Sequence, residues 1–205
     1  MPFIDESDRL QLRRCLRQAL RSTRVALSGY AMLQDRLWLL LTPSDASAMS
    51  RCIQSLGRCY TSGYNRRHGC AGTLWEGRFR CTVVEPGPTQ LEVLRFVEQS
   101  PISAGIVPAA GAWPWSSALH HLGFEPDALV TDSAEYWALG NTPFDRAVAY
   151  RDLLSERLAP GREQSIADAA TKGWALGSPA FVAQLQVTID RPLAPRRRGR
   201  PSKVQ

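Results

Sequence analysis

The sequence predicts an α+β fold: a small antiparallel sheet packed with helices, then a helical C-terminal extension and a basic tail. Three observations predict it. Apolar residues recur at helical spacing in some stretches and alternate in others, and the two kinds of stretch interleave along the chain. No glycine-rich phosphate loop accompanies that interleaving. Residues 191–205 carry six basic residues and no acid, a composition that belongs to an extended tail.

Leu10, Leu12, Leu16 and Leu20 form an apolar stripe with arginines opposite, so residues 5–24 read as a helix. Residues 25–33 and 36–42 supply Val25, Leu27, Tyr30 and Met32, then Leu37, Leu39 and Leu41, and read as two strands around a short turn. Pro43, Ser44 and Asp45 stop the second strand and cap a helix over 45–67. The run RFRCTVVE at 78–85 alternates as a third strand, ended by Pro86-Gly87-Pro88. Thr89–Gln99 reads as a helix that stops before Ser100-Pro101, because the residue before proline disfavours helical geometry. Residues 126–160 read as mostly helical, and 162–190 as two short helices broken at Gly173 and Gly177. The expected organisation is an α+β domain over 1–125, a helical extension over 126–190 and the tail over 191–205.

With 205 residues, 44% hydrophobic and 21% charged, the chain can bury one ordinary core. No stretch approaches the roughly 20 apolar residues of a membrane span, and the acidic start MPFIDESDR lacks a signal core, so the expected place is the cytoplasm near the nucleoid. Cys15, Cys52, Cys59, Cys70 and Cys81 form no C-x-x-C pair and are odd in number, which reads as reduced, partly buried thiols. The net charge of +6 equals that of the tail, yet charge is segregated within the body. Residues 9–24 hold six arginines and no acid, and residues 51–82 hold six arginines against Glu76 alone. Such clusters either neutralise phosphates or form a solvated helix face.

Several short motifs carry a resemblance. YAMLQDRLWLLLTP at 30–43 is similar to the strand Y-V-L-M-P-N-H-V-H-L-L-L of HUH-type single-tyrosine transposases, and RFVEQSPISAGIV to their helix R-Y-V-E-L-N-P-V-R-A-G-L-V. Asn65-Arg66-Arg67-His68-Gly69 with GTLWEGRF at 72–79 resembles a block of the REP-associated tyrosine transposases, as does Trp113-Pro114-Trp115-Ser116-Ser117. The terminal KGWALGSPAF and PRRRGRPSK resemble that family's C-terminal extension. The resemblance implies a ferredoxin-like, HUH transposase-like sheet and DNA hairpins as partner. It also implies cleavage by a tyrosine that attacks a phosphate held by a divalent metal. A strand Y-H-V-T-x-R-G precedes the position matching Phe3 in the family; without it the sheet is expected to expose an edge or recruit another segment.

The three chemical positions are substituted. Two histidines at i and i+2 of a strand share a face and can hold one ion, but here those positions are Arg36, permanently cationic, and Trp38, which has only a donor N–H. The nucleophile position is Phe96, which has no side-chain oxygen. No catalytic residue, metal site or cofactor is therefore expected, whereas active relatives take Mg or Mn. His68, His120 and His121 read as too scattered for a metal site, the last two as surface residues, and Glu92, Glu98 and Asp35 as solvated.

Binding is expected from Arg58, Tyr60, Tyr64, Arg66, Arg67, Arg78 and Arg80, where arginines can pair with phosphates and tyrosines stack on unpaired bases. The alternative puts Tyr60 and Tyr64 in the core. Trp75, Trp113, Trp115 and Phe79 read as core. In the tail, Arg196, Arg197, Arg198, Gly199 and Arg200 lead into R-G-R-P, which resembles an AT-hook reading an A·T-rich minor groove, or act as a non-specific polybasic arm. Deleting residues 191–205 is expected to lower the slope of log K against log[salt] by about four to five units, measured by fluorescence anisotropy; an unchanged slope excludes the tail as a contact. Three readings of the chain follow: an inactive DNA-binding relative of transposases, an active transposase with a substitute constellation, or a decayed gene product.

Overall fold

The computed structural model describes residues 1–195. The tail residues Arg196, Arg197, Arg198, Gly199 and Arg200 lie outside the described residues. Helices dominate, and the sheet has two strands.

Helix α1 (Glu6–Thr23) starts at a reciprocal cap in which Asp5 accepts from the Asp8 amide and Asp8 accepts from the Asp5 amide. It buries Leu12, Leu16, Ala19 and Leu20 and ends at Arg24, whose φ of 56° turns the chain into the left-handed region. Strands β1 (Ala26–Met32) and β2 (Leu37–Thr42) pair antiparallel, with Tyr30 opposite Leu39 and Ala31 opposite Trp38. Helix α2 (Ala48–His68) runs back along α1 and buries Cys52, Leu56, Tyr60 and Tyr64, one residue per turn. Leu37, Leu39 and Leu41 face this helical layer.

Helix α3 (Pro88–Ser103) covers the opposite face of the sheet, packing with Leu40 through Leu94 and Val93. The approach is close: a Cβ on Gly29 of β1 would lie 2.3 Å from Leu94 Cδ1, so any larger residue there must displace the buried Leu94 side chain. Against α3 pack α6 (Pro143–Ser155), through Tyr150 and Leu154, and α7 (Pro160–Lys172), through Ile166 and Ala169. Short helices α4 (Ala118–His121) and α5 (Ala134–Trp137) precede them, and α8 (Pro179–Thr188) follows. The breaks expected at Gly173 and Gly177 fall between α7 and α8.

Four expectations are corrected. Residues 78–85 do not join the sheet: Arg78–Cys81 are exposed, Phe79 is 44% exposed rather than core, and only Val84 bridges, in parallel, to Leu176. Helix α3 continues through Pro101, because the Ser100 hydroxyl donates to the Val97 carbonyl (2.6 Å) that a proline nitrogen cannot serve. Cys15 and Cys59 form a disulfide across α1 and α2, with Cα atoms 5.8 Å apart. Residues 126–133 are irregular, so the helical content of 126–160 is confined to α5 and α6.

The edge of β1 away from β2 is covered by residues 115–117 and by Thr131. Met32 donates to Trp115, Ser117 to Tyr30 and Thr131 to Leu27 through backbone amides at 2.8–3.0 Å. Among the described residues no strand pairs with the other edge of β2. No described helix is long and apolar enough to cross a membrane.

Candidate functional site

Trp38 and Phe96, on β2 and α3, meet edge to face with ring centroids 5.2 Å apart, a contact worth about 0.5–1.5 kcal/mol beyond burial. Leu40, Val84 and Trp174 join Phe96 against Val93, Ile166, Ala169 and Leu176, so apolar side chains fill this side of the sheet. Arg36 does not join them. It sits just before β2, exposed, and its guanidinium grips Asp35 through Nε (3.0 Å) and a terminal nitrogen (2.7 Å).

Two residues along α3 from Phe96, on another side of the helix, lies a buried polar centre that no sequence pattern marks. Glu98 has no exposed surface. Its carboxylate accepts from the Ser117 hydroxyl, from Tyr150 Oη at 2.8 Å, and faces His121 Nδ1 at 2.7 Å. Ser117 Oγ also accepts from the Tyr30 amide at 2.9 Å, so the W-P-W-S-S segment joins β1 to α3. His121 is fully buried rather than a surface residue, and Glu98 is not solvated. Burial pulls the His121 pKa down, but the charge and hydrogen bond of Glu98 outweigh it and hold the net value above 6.5.

The two histidines are not scattered: one ligand atom each of His120, His121 and Asp132 lie within 4.8 Å of one another. Proton placement argues against an ion. The His120 Nδ1 accepts from the Asp127 amide at 3.0 Å, so its proton sits on Nε2 and points to Asp132 at 3.0 Å. A neutral His120 thus offers no lone pair to the cluster. His121 Nε2 alone remains buried and unpartnered, 3.8 Å from Asp132.

The expected nucleic-acid contacts divide into two groups. Arg58, Arg66, Arg78 and Arg80 are exposed. Arg67 instead ties α2 to the start of α1, donating to Asp5 and, at 2.6 Å, to the fully buried Asp8. His68 joins it on Asp8 at 2.9 Å, so the N-R-R-H block clamps two helix ends. Tyr60 and Tyr64 are core residues, at 0% and 6% exposure, and their rings are closed to any base.

All five tyrosines of the chain are buried, with every hydroxyl engaged. Tyr30 donates to Asp127 at 2.6 Å, Tyr60 to the Pro2 carbonyl, Tyr64 to the Met1 carbonyl at 3.0 Å and Tyr136 to the His121 carbonyl at 2.8 Å, beside Tyr150 on Glu98. Burial pushes the pKa of each phenol upward, that of Tyr136 to about 12. None is poised as an accessible phenolate. No protein-family model, curated protein or solved structure matches the chain.

Proposed function

We propose that the chain is a DNA-binding protein of REP-associated-transposase descent that holds hairpin DNA without cutting it. The meeting of Trp38 and Phe96 carries this reading. In the mechanism that the resemblance implies, the strand position and the helix position must address one phosphate, and here they lie in one place. The chemistry they offer is apolar packing, with neither ligand nor nucleophile. The engaged hydroxyls of all five tyrosines weigh against a substitute nucleophile, and so against the active-transposase reading.

Incubated with a single-stranded hairpin oligonucleotide and Mg²⁺ or Mn²⁺, the protein is expected to shift the DNA but leave it intact and uncrosslinked. A denaturation-stable protein–DNA band would refute this. Failure to bind hairpin DNA at low salt would remove the binding half of the reading. Phe96→Tyr alone is expected to leave cleavage absent, because Arg36 and Trp38 still deny a metal.

A further inference from the structure

A DNA-binding chain needs a surface that meets DNA, and among the described helices α1 and α2 carry the largest number of exposed arginines. Helical periodicity places Arg14 and Arg21 of α1 and Arg58 and Arg66 of α2 outward from the core stripes Leu12, Leu16, Leu20 and Leu56, Tyr60, Tyr64. All four arginines are exposed, and none forms an ion pair among the described residues. The polar residues beside Arg14, Arg21 and Arg58 are uncharged Gln18, Ser55 and Ser62, because α2 has no acid and the only acids of α1, Glu6 and Asp8, lie in its first turn, at the Arg66 end of the face. Arg13, Arg51 and Arg67 are already engaged, on Asp127 at 2.9 Å, on Asp45 at 3.0 Å and on Asp5 and Asp8, whereas Arg17 of α1 is exposed and unpaired among the described residues like the four.

We propose that this outer face of α1 and α2 is the docking surface for the paired stem of a DNA hairpin. This rests on the DNA-binding reading and refines it. Two arguments select a duplex. Arg14 and Arg21 are two helical turns apart, about 10 Å, and packed helices lie about 8–10 Å from one another. Arg58 lies level with Arg14, since Cys59 is bonded to Cys15, so Arg14, Arg21 and Arg58 match phosphates that border a groove about 6–12 Å wide on two strands, and Arg66 reaches about 12 Å further along α2. The second argument is what the face lacks. Binding of unpaired strands relies on aromatic rings as stacking platforms; the aromatic residues of α2, Tyr60 and Tyr64, point into the core, and the half-buried Trp75 ring lies only at the edge of the face, next to Arg58 and Ser62. Arginine, glutamine and serine side chains contact phosphate and hold the stem by its backbone. The face also lies across the sheet from Trp38 and Phe96, since Leu37, Leu39 and Leu41 point to α1 and α2 while Trp38 points to α3. A stem bound there is turned away from the position that cuts DNA in active relatives.

The test uses the full chain, so that the basic tail contributes equally to every variant. Affinity for a hairpin with a fully paired stem is compared with that for an unstructured oligonucleotide of equal length, across several salt concentrations. Arg14→Ala with Arg58→Ala is expected to lower the salt slope for the stem by about two units, about one per lost phosphate contact. Arg21→Gln with Arg66→Gln is a second, independent pair with the same expected loss, and Arg157→Ala after α6 is expected to change nothing. Unaltered melting temperatures show that the variants are folded. Binding with slopes unchanged in both pairs overturns the proposed surface while the DNA-binding reading stands. An equal loss on the unstructured strand, bound as tightly as the stem, overturns the choice of duplex. No binding of any DNA by the wild type overturns the surface and the reading together.

Discussion

Glu98→Ala is expected to destabilise the fold by about 3–5 kcal/mol, the cost of removing one partner from a buried charged network. Three side chains lose their acceptor at once: the Ser117 and Tyr150 hydroxyls and the His121 ring. Two of these anchor other elements, since Ser117 also bonds the backbone of β1 and Tyr150 belongs to α6. Urea unfolding of wild type and variant measures the loss, and a change under about 1 kcal/mol would exclude the network as a structural centre. The pH dependence gives a second readout. Because the folded His121 has its pKa raised, its pairing stabilises the protein fully below about pH 6.5 and fades as pH rises through the higher folded value. Glu98→Gln is expected to flatten that decline, and Tyr136→Phe, which leaves Glu98 in place, is expected to keep it.

Breaking the Cys15–Cys59 bond is expected to lower stability by about 2–4 kcal/mol, from the loop entropy restored to the unfolded chain. The bridged residues are 44 positions apart, and the bond crosses the two helices that carry the outer arginines. Denaturant midpoints with and without reductant, alongside Cys15→Ala with Cys59→Ala, measure the effect. Thiol labelling after denaturation gives an independent count: three free cysteines, Cys52, Cys70 and Cys81, in the oxidised chain. Five labelled thiols before reductant is added, or identical midpoints, would exclude the bond.

The helices and the hairpin were legible because their apolar periods are those of the buried faces. Tyr60 and Tyr64 share the four-residue spacing of Cys52 and Leu56, but the arginines interleaved with them in sequence give the same stretch the composition of a binding face. A helix puts Arg58 on the far side of Tyr60 even though the two are neighbours in sequence. The third strand failed because alternation at 78–85 exposes Phe79 and Val83 and leaves no buried face. The extent of α3 was hidden by a local exchange, a serine hydroxyl in place of the missing proline N–H. Glu98, His121 and Tyr150 come from three helices, as Cys15 and Cys59 come from two, and no pattern along the chain records such meetings. The proximity of Trp38 and Phe96 was accessible only through the resemblance, which requires both positions to act at one point.

The unpaired edge of β2 sets a condition on how this chain keeps to itself. Leu37–Thr42 is six residues long, uncharged and rich in leucine, and its open backbone can template a strand from another molecule. What brackets it resists that growth. Asp35 and Arg36 place both signs of charge at one end, each more than half exposed, and Pro43 with Asp45 closes the other, where proline removes an amide that a new strand needs. In that setting the Asp35–Arg36 pair sets charge at the mouth of the strand, where an incoming copy would have to desolvate it.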